Sequence, residues 1–319
     1  YASESLVSRD YEANNLSIFG NIDYFLTENY KVAFGLRWEK WDSKYKDSNN
    51  EFFDPSNNMN GGKISLIKNN EDGSNTYFSI ARGYKQGGFN LGLDATDSSV
   101  KESLIYDPEF LTNYEIGFSS KADENFNYSS TIFYSKRNDQ QVLISKQVDP
   151  SDPNTFSFLT QNAAEGENYG LEISSNYSAT DNLYIFANLG ILKTKIINWE
   201  SRADLENRAQ AHAPQQTYSI GANLDLKNNL YFKIDINGKS SFYYSDSHNN
   251  KSKSYQLVNL TFGYAKADFS ANLWVRNLFD EYYSTRGFFF GNEAPNFVDT
   301  LYRRQGDPRN LGFSVRYDF

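Results

Sequence analysis

The sequence has no cysteine, one methionine and two histidines. Without cysteine, these residues form no disulfide framework and no thiolate metal site. The histidines, His212 and His248, lie in separate polar segments without the spacing of metal ligands, so no metal site is predicted. The formal net charge is −9, and the phosphates of nucleic acids need a basic surface. We therefore expect no nucleic-acid partner.

Long apolar runs are missing as well. No stretch approaches the ~20 apolar residues of a transmembrane helix, and the mean hydropathy is negative. A negative value does not exclude a membrane barrel, because barrel strands alternate apolar and polar residues and average to a polar score. The sequence also has no nucleophile elbow and no ordered serine, histidine and aspartate set. We therefore expect no catalytic residue, no cofactor and no enzymatic activity.

Aromatic residues are abundant, with 24 Tyr and 25 Phe, and this composition favours strands. In Lys31–Glu39, apolar side chains occupy every second position and polar or small ones occupy the rest. The same alternation recurs in Tyr218–Leu226, in Leu230–Asn237 and in the last strand, Leu311–Phe319. The period predicts antiparallel strands with one apolar face, which would contact outer-membrane lipid.

Short turns alternate along the chain with long polar loops. The predicted turns are Thr27–Asn29, Glu71–Ser74, Ala122–Asn125, Ala179–Asn182, Lys227–Asn229 and Ala265–Asp268. The predicted loops are Tyr45–Asn60, Gln86–Glu109, Asp139–Thr160, Asn198–Pro214, Ser241–Ser254 and Thr285–Asp307. Short periplasmic turns and long extracellular loops are typical of outer-membrane barrels. These connections join about 13 strands, and the loop Asn198–Pro214 is expected to hold a short helix.

An odd strand number indicates that further strands precede this segment, because single-chain bacterial barrels use even numbers. We expect residues 1–319 to form one unit, the C-terminal part of a β-barrel. On their own they should form an open, strongly curved sheet or a poorly sealed ring, because the first and last strands have no regular partners.

Five segments, taken in order, resemble the C-terminal half of TonB-dependent outer-membrane receptors. They are Ile80–Asn90 (IARGYKQGGFN), Tyr106–Gly117 (YDPEFLTNYEIG), Gln161–Ser174 (QNAAEGENYGLEIS), Asn272–Tyr283 (NLWVRNLFDEYY) and Gly306–Phe319 (GDPRNLGFSVRYDF). The resemblance implies an all-β, antiparallel transmembrane barrel of 22 strands. Strands ten to twenty-two would be present here, and the plug domain and TonB-contacting box would be absent.

The resemblance also implies a location in the outer membrane of a Gram-negative bacterium. The leading functional hypothesis is a receptor for active uptake, with a ferric siderophore as the favoured ligand. Energy would come from the TonB complex through the missing N-terminal part. The alternatives are a receptor for cobalamin, haem or a carbohydrate, a passive porin-like channel, and a structural or adhesive barrel without transport.

Ligand contacts are predicted in the extracellular loops. There, arginine and aromatic side chains suit an anionic, aromatic iron chelate through charge-assisted hydrogen bonds and stacking. The candidates are Arg82, Tyr84, Lys85, Phe89, Arg286, Phe288, Phe290, Tyr302, Arg303 and Arg304. In the alternative interpretation, the phenylalanine triplet 288–290 packs within its own loop or against neighbouring loops.

The last strand carries a separate prediction. Its alternating residues Phe313, Val315, Tyr317 and Phe319 resemble the signal by which the barrel-assembly machinery recognises its substrates. A strand that faces lipid would show the same alternation, so the two interpretations are compatible.

Overall fold

The computed structural model describes residues 6–48, 50–91, 104–121, 124–147, 156–246 and 248–319. Within these residues the fold is built from strands. The strands are β1 (Arg9–Phe25), β2 (Tyr30–Asp47), β3 (Phe52–Phe53), β4 (Ser56–Asn69), β5 (Asn75–Lys85), β6 (Gly88–Phe89), β7 (Ile105–Tyr106), β8 (Glu109–Lys121), β9 (Phe126–Gln147), β10 (Phe156–Thr180), β11 (Leu183–Asn198), β12 (Gln216–Asp225), β13 (Leu230–Lys239), β14 (Tyr255–Lys266), β15 (Phe269–Arg276), β16 (Ser284–Phe290), β17 (Thr300–Gln305) and β18 (Asn310–Tyr317).

Thirteen strands of the described chain follow one another across one antiparallel sheet. The order is β1-β2-β4-β5-β8-β9-β10-β11-β12-β13-β14-β15-β18, and β3 pairs with β2. Two small hairpins, β6-β7 and β16-β17, lie outside this sheet. In the described residues β1 and β18 do not pair with each other, so the sheet is open, as the sequence predicted. Helices in this part of the chain are limited to two short 3-10 segments, Glu200–Leu205 and Lys227–Asn229. Among the described residues no helix has the length and apolar character needed to cross a membrane.

Most predicted connections are confirmed, but two of the predicted loops are wrong. In place of loop Tyr45–Asn60, β2 runs on to Asp47 and β4 begins at Ser56. In place of loop Asp139–Thr160, β9 runs on to Gln147 and β10 begins at Phe156, while residues 148–155 lie outside the described residues. The strict alternation is lost in the outer part of these strands, where residues 142–144 of β9 are three apolar residues in succession, yet the backbone ladder continues.

The other connections follow the prediction more closely. The turn before β11 is reduced to Asp181–Asn182, and the one before β15 to Ala267–Asp268. Residues 122–123 of one predicted turn and 92–103 of one predicted loop lie outside the described residues. Two loops carry the hairpins β6-β7 and β16-β17. The short helix expected in Asn198–Pro214 is confirmed as the 3-10 segment Glu200–Leu205.

The register separates two faces of the sheet. One face carries exposed apolar side chains, as in the cross-strand row Phe78, Ile116 and Ile132. The opposite face carries small and polar side chains, and there the paired Ser65 and Ser79 are buried. Apolar side chains gathered on one face of a barrel strand are typical of contact with the bilayer. We call this face the lipid face and the other the lumen face.

Charged and amide groups on the lumen face form hydrogen bonds with one another. The Glu115 carboxylate accepts hydrogen bonds from Asn113 Nδ2 (2.7 Å) and the Tyr77 hydroxyl (3.3 Å). Asp235 accepts from Asn237 Nδ2 (2.5 Å) and Asn259 Nδ2 (2.7 Å). The bonds from Tyr77 and Asn259 cross between neighbouring strands, whereas the other two lie within one strand. All four satisfy polar groups that line the inside of the wall.

The last strand faces lipid. Leu311, Phe313, Val315 and Tyr317 are all exposed. Each pairs with a lipid-face residue on the neighbouring strand β15, as Phe313 does with Leu273. This confirms the lipid-facing interpretation of the alternation. Recognition by the assembly machinery remains a prediction.

Candidate ligand-binding site

Long connections lie at one end of the sheet and short turns at the other, which makes the long-connection end extracellular. The predicted ligand residues fall at this end, in two regions. One region is formed by β5 and β6, and the other by the hairpin β16-β17. The structure brings the second set together more closely than the first.

The three ligand residues predicted on β5 lie in different environments. The Arg82 guanidinium lies 4.3 Å from the centre of the Phe110 ring, and the register puts both residues on the lipid face. The Tyr84 hydroxyl donates to Glu39 Oε2 at 2.9 Å. Lys85 is exposed at the end of the strand. The structure therefore does not gather Arg82, Tyr84 and Lys85 around one space.

Glu39 holds a polar cluster on the lumen face. Besides the Tyr84 bond, its carboxylate accepts from Asn15 Nδ2 (2.7 Å) and from the Arg37 guanidinium, whose Nε also donates to the Tyr84 hydroxyl at 3.0 Å. The alternation predicted Arg37 and Glu39 on the lumen face, but it could not show that Tyr84 joins them. These hydrogen bonds engage the side chains of Asn15, Arg37, Glu39 and Tyr84 with one another, and they connect β1, β2 and β5.

Phe89 belongs to an aromatic cluster formed with Tyr11, Tyr45 and Phe53. Its ring lies 5.1 Å from the Phe53 ring, stacked, 5.3 Å from that of Tyr45 and 6.1 Å from that of Tyr11. Tyr45 and Phe53 are only 3% and 5% exposed. The aromatic cluster is thus packed except at Tyr11, which is 56% exposed, and Phe89 attaches β6 to β2 and β3.

The hairpin β16-β17 gathers five of the predicted residues on one face. In its register Arg286 lies opposite Arg304, and Phe288 lies opposite Tyr302. Phe290 follows on the same side, with its ring 5.2 Å from that of Tyr302. Phe288 is 43% exposed and Phe290 is 40% exposed. We call this surface, formed by Arg286, Phe288, Phe290, Tyr302 and Arg304, the open face of the hairpin.

The other side of the hairpin packs against a neighbouring loop. The backbone of Gly287 approaches the ring of Tyr244 so closely that a Cβ would overlap it. The Phe289 ring lies 5.7 Å from that of His248. By register, Arg303 also lies on this side, opposite Gly287. The phenylalanine triplet therefore divides by face but not by exposure: Phe289 makes its ring contact on this side, yet it is 40% exposed, as Phe290 is.

Positive charge on the open face is uncompensated. Among the described residues, neither Arg286 nor Arg304 has a carboxylate within ion-pair distance. The Arg286 guanidinium instead lies 5.0 Å from the centre of the Phe288 ring. Like charges directly opposite on paired strands repel each other. An anion bound between the two arginines would relieve that repulsion and would lie beside aromatic rings.

A platform of two loops, residues 198–214 and 241–254, supports the hairpin. Arg208 joins them: its Nη1 donates to the His248 carbonyl (2.9 Å), and its Nη2 donates to the Ser245 carbonyl and Asp246 Oδ1 (both 3.0 Å). The side chain is 8% exposed and lies over the Tyr243 ring at 4.3 Å. Buried charged groups need such partners, so Arg208 is the main polar link between the two loops.

The histidines lie inside this platform. Burial lowers the pKa of His248 and the charge of Arg208 lowers it further, although the Gly287 carbonyl acts in the opposite direction. Burial also lowers the pKa of His212, helped by the charge of Arg286. Neutral histidines pack here against the Phe242 and Phe289 rings. In the described residues no group of three or more acidic, histidine or cysteine side chains is placed to hold a metal ion.

A family model described as "TonB dependent receptor-like, beta-barrel" matches residues 1–278. The chain belongs to this family. Membership places it in the outer membrane of a Gram-negative bacterium and confirms the resemblance to TonB-dependent receptors. The proteins that it matches are receptors and transporters.

Individual receptors show the same likeness. The pesticin receptor of Yersinia pestis is 22% identical over 322 residues, which cover 96% of this chain and 44% of that protein. The ferric yersiniabactin uptake receptor FyuA from Yersinia pestis superposes with a TM-score of 0.79 at 18% identity, covering 98% of this chain and 47% of that one. The siderophore receptor PiuA from Acinetobacter baumannii gives 0.75 at 18% identity, covering 97% and 44%. The chain thus spans about half the length of these relatives.

The platform of this receptor wall was missed by sequence reasoning. Arg208, Tyr243 and His248 lie in predicted polar loops, where no period marks which side chains pack. Aromatic residues in Phe242–Tyr244, within an otherwise polar loop, were the available signal. Their burial follows from three chain segments that meet only in the folded protein.

Proposed function

We propose that the chain forms the wall and extracellular loops of a receptor that takes up a ferric siderophore across the outer membrane. Family membership supports an uptake receptor, and the names of the related proteins (pesticin receptor, ferric yersiniabactin uptake receptor, siderophore receptor) support this ligand class. The observation that carries the proposal is the open face of the hairpin. It presents two unpaired arginines and three aromatic rings at the extracellular end.

Each open-face side chain has a role in this proposal. Arg286 and Arg304 donate charge-assisted hydrogen bonds to anionic oxygens of the chelate. Phe288, Phe290 and Tyr302 stack on its rings or cover its apolar parts. The platform holds the hairpin in place through Gly287 and Phe289. The predicted contacts at Arg82, Tyr84, Lys85 and Phe89 have less support, because these side chains are either dispersed or committed to packing.

Other partners are proposed on coarser grounds. Energy would reach the receptor from the TonB complex, as the family implies, through parts of the protein outside these residues. The exposed apolar side chains of the lipid face suit contact with outer-membrane lipid. The exposed alternation Phe313, Val315, Tyr317 and Phe319 suits recognition by the barrel-assembly machinery.

Iron uptake by the full-length receptor tests the proposal. A strain that lacks its other siderophore receptors is given radioactive iron on a panel of siderophores, with and without a functional TonB complex. We expect uptake of at least one chelate that requires both the receptor and TonB. Uptake that is equal without TonB would instead support the passive channel, and absence of uptake across the panel would contradict transport.

Binding of the accepted chelate then tests the site. Arg286→Ala with Arg304→Ala should weaken binding by ~100-fold, at roughly tenfold for each lost charged hydrogen bond. Arg303→Ala removes the same charge from the opposite side of the same strand and should change binding by less than about threefold. Equal effects of the double variant and this control would show that the open face is not the binding surface.

A further inference from the structure

Glycine residues on the lumen face of the wall are paired with aromatic rings in a regular way. In five strand pairs a ring on one strand lies directly opposite a glycine on the next, and a Cβ at that glycine would overlap the ring. The pairs are Tyr77–Gly117, Phe133–Gly170, Phe186–Gly221, Tyr231–Gly263 and Trp274–Gly312. All five rings are half-buried. Each ring therefore occupies the space that a side chain at the glycine would fill.

The polar tips of two rings show that these rings lie across the glycines. Trp274 Nε1 donates to Ser314 Oγ at 3.1 Å, and the Tyr77 hydroxyl donates to Glu115 Oε2 at 3.3 Å. Ser314 and Glu115 each stand two residues from the paired glycine. Each of these rings thus extends from its own strand, over the glycine, to the next lumen-face position of the neighbouring strand.

The five pairs share a position in the topology. They join β5 to β8, β9 to β10, β11 to β12, β13 to β14 and β15 to β18, which are strands connected through long extracellular segments. In the described part of the wall, strands joined by a short turn have no directly paired ring and glycine on the lumen face, since Gly61 meets the Tyr84 ring only diagonally. The long connection from β2 to β4 has no such pair, but there β3 extends the pairing into the connection.

Alternation and a long connection together leave the register of these strand pairs open. A slip of one residue would turn the apolar side chains to the lumen, but a slip of two residues keeps every side chain on its own face. A short turn excludes the second slip, because its geometry fixes how its two strands pair. A long connection does not exclude it, so contacts between the paired strands must distinguish registers that are two residues apart.

The glycines distinguish these registers. After a slip of two residues each ring would face a neighbouring lumen-face residue in place of the glycine, and every one of those residues carries a Cβ. They are Glu115 and Ser119, Asn168 and Glu172, Ser219 and Asn223, Thr261 and Ala265, and Asn310 and Ser314. Because a Cβ at the glycine position overlaps the ring, the ring could not keep its place in either slipped register.

We propose that the five aromatic–glycine pairs set the register of the loop-connected strands during folding of the barrel. A barrel closes at one total stagger of its strands, so a single slipped pair prevents correct closure. At the usual rise of about 3.4 Å per residue, a slip of two residues between β15 and β18 would also displace the two ends of the loop that carries the hairpin β16-β17 by about 7 Å. The role concerns assembly of the wall and does not rest on the ligand proposed for the open face.

Disulfide trapping during refolding of the full-length receptor tests the proposal. With any other cysteine replaced by serine, Ile234→Cys in β13 is combined either with Leu260→Cys, its native partner in β14, or with Val258→Cys, which lies opposite only after a slip of two residues. Diagonal positions are too far apart for an undistorted disulfide, so each cysteine pair reports one register. The ratio of native to slipped cross-link is counted over all cross-linked chains, so a variant that closes poorly still reports its register.

Moving the glycine should move the register. Gly263→Thr with Thr261→Gly keeps the composition but places the glycine two residues earlier in β14. We expect the slipped cross-link to gain about fivefold over the native one, which is the upper end of what one cross-strand pair contributes. Tyr231→Leu, which keeps an apolar side chain but no ring, should lower the ratio of native to slipped cross-link by about the same factor. An unchanged ratio in either variant would overturn the proposal.

The matched control is Tyr218→Leu. Its ring also lies against a directly paired glycine, Gly238, but on the lipid face and between β12 and β13, which a short turn joins. For that strand pair Ala222→Cys with Ile234→Cys reports the native register, and Ala222→Cys with Ile236→Cys reports a slip of two residues. We expect this ratio to stay the same, because the turn holds the register. A change as large as that in Tyr231→Leu would reduce the aromatic–glycine contacts to ordinary packing and overturn the proposal.

Discussion

The aromatic cluster and the open face of the hairpin contain similar aromatic residues, but the central rings of the cluster are buried and those of the open face are not. Tyr45 and Phe53 in the cluster are 3% and 5% exposed, whereas Phe288 and Phe290 on the hairpin are 43% and 40% exposed. Both regions lie at the extracellular end of the wall, and both were predicted to contribute ligand contacts. Composition alone therefore does not distinguish a packed aromatic residue from one that is available to a ligand.

Glycine positions account for the difference. In the cluster, the adjacent Gly87 and Gly88 are buried: Gly87 lies against Asn57 and the Tyr106 carbonyl, and Gly88 lies against the Tyr106 ring. Without side chains there, β6 approaches closely enough for Phe89 to reach Phe53. The strand β16 has only Gly287, so only one side of the hairpin can approach its neighbour. The other side keeps bulky residues, of which Phe288 and Phe290 stay 43% and 40% exposed and Tyr302 donates to Glu293 at 3.2 Å.

Truncating one ring in each region should give the largest contrast. Phe53→Ala removes a buried ring and should cost about 3–5 kcal/mol of the free energy that holds β3 and β6 in place. Phe288→Ala should leave stability unchanged and weaken siderophore binding. Thermal unfolding, proteolysis in the first loops and ligand titration on both variants measure this. A Phe53→Ala protein as stable and protease-resistant as the parent would show that the cluster is not a packed core.

Removing Arg208 should detach the platform that keeps the open face in position. Arg208→Ala removes the donor to two carbonyls and the cation paired with Asp246, which keeps only the Ala211 N–H, at a cost of about 3–5 kcal/mol for a broken buried pair. Limited proteolysis within residues 241–254 should become faster. The control is Arg202→Ala, which breaks a more exposed pair with Asp204 and should change little. Similar cleavage rates for the two variants would contradict this role of Arg208.

A side chain at Gly287 should separate the hairpin from the platform. Gly287→Ala places a Cβ against the Tyr244 ring, and overpacking of this kind costs about 1–3 kcal/mol. We expect weaker siderophore binding and faster proteolysis of the hairpin. Gly83→Ala is the matched control, because a Cβ there meets no atom within 4 Å. Unchanged binding in Gly287→Ala would show that the platform does not position the open face.

The sequence predicted the wall much better than the site. Alternation correctly identified the lipid face of β2 and β18, because one face of a barrel strand must be apolar along its whole membrane depth. It ended β2 and β9 too early, because residues above the bilayer do not alternate strictly between apolar and polar even though the ladder continues. Arg82 illustrates the limit for the site: its position near a loop predicted a ligand contact, but the face on which it lies depends on register. The platform could not be predicted, because Arg208 and Asp246 come together only after two loops fold.

Acidification should give the smallest effect, and it acts on the platform rather than on the aromatic cluster. Burial lowers the pKa of both His212 and His248 below the ordinary value of 6.5. Below about pH 6.5 the histidines bind protons when the two loops come apart but not while the loops stay packed. The packed platform therefore loses stability as the pH falls from 6.5 towards the lowered pKa values. Above pH 6.5 its stability does not change with pH. Proteolysis in residues 241–254 should therefore accelerate between pH 7.5 and pH 5.5, while cleavage near the aromatic cluster stays constant. His212→Gln with His248→Gln should remove this pH dependence; its persistence in the double variant would assign the effect to other groups.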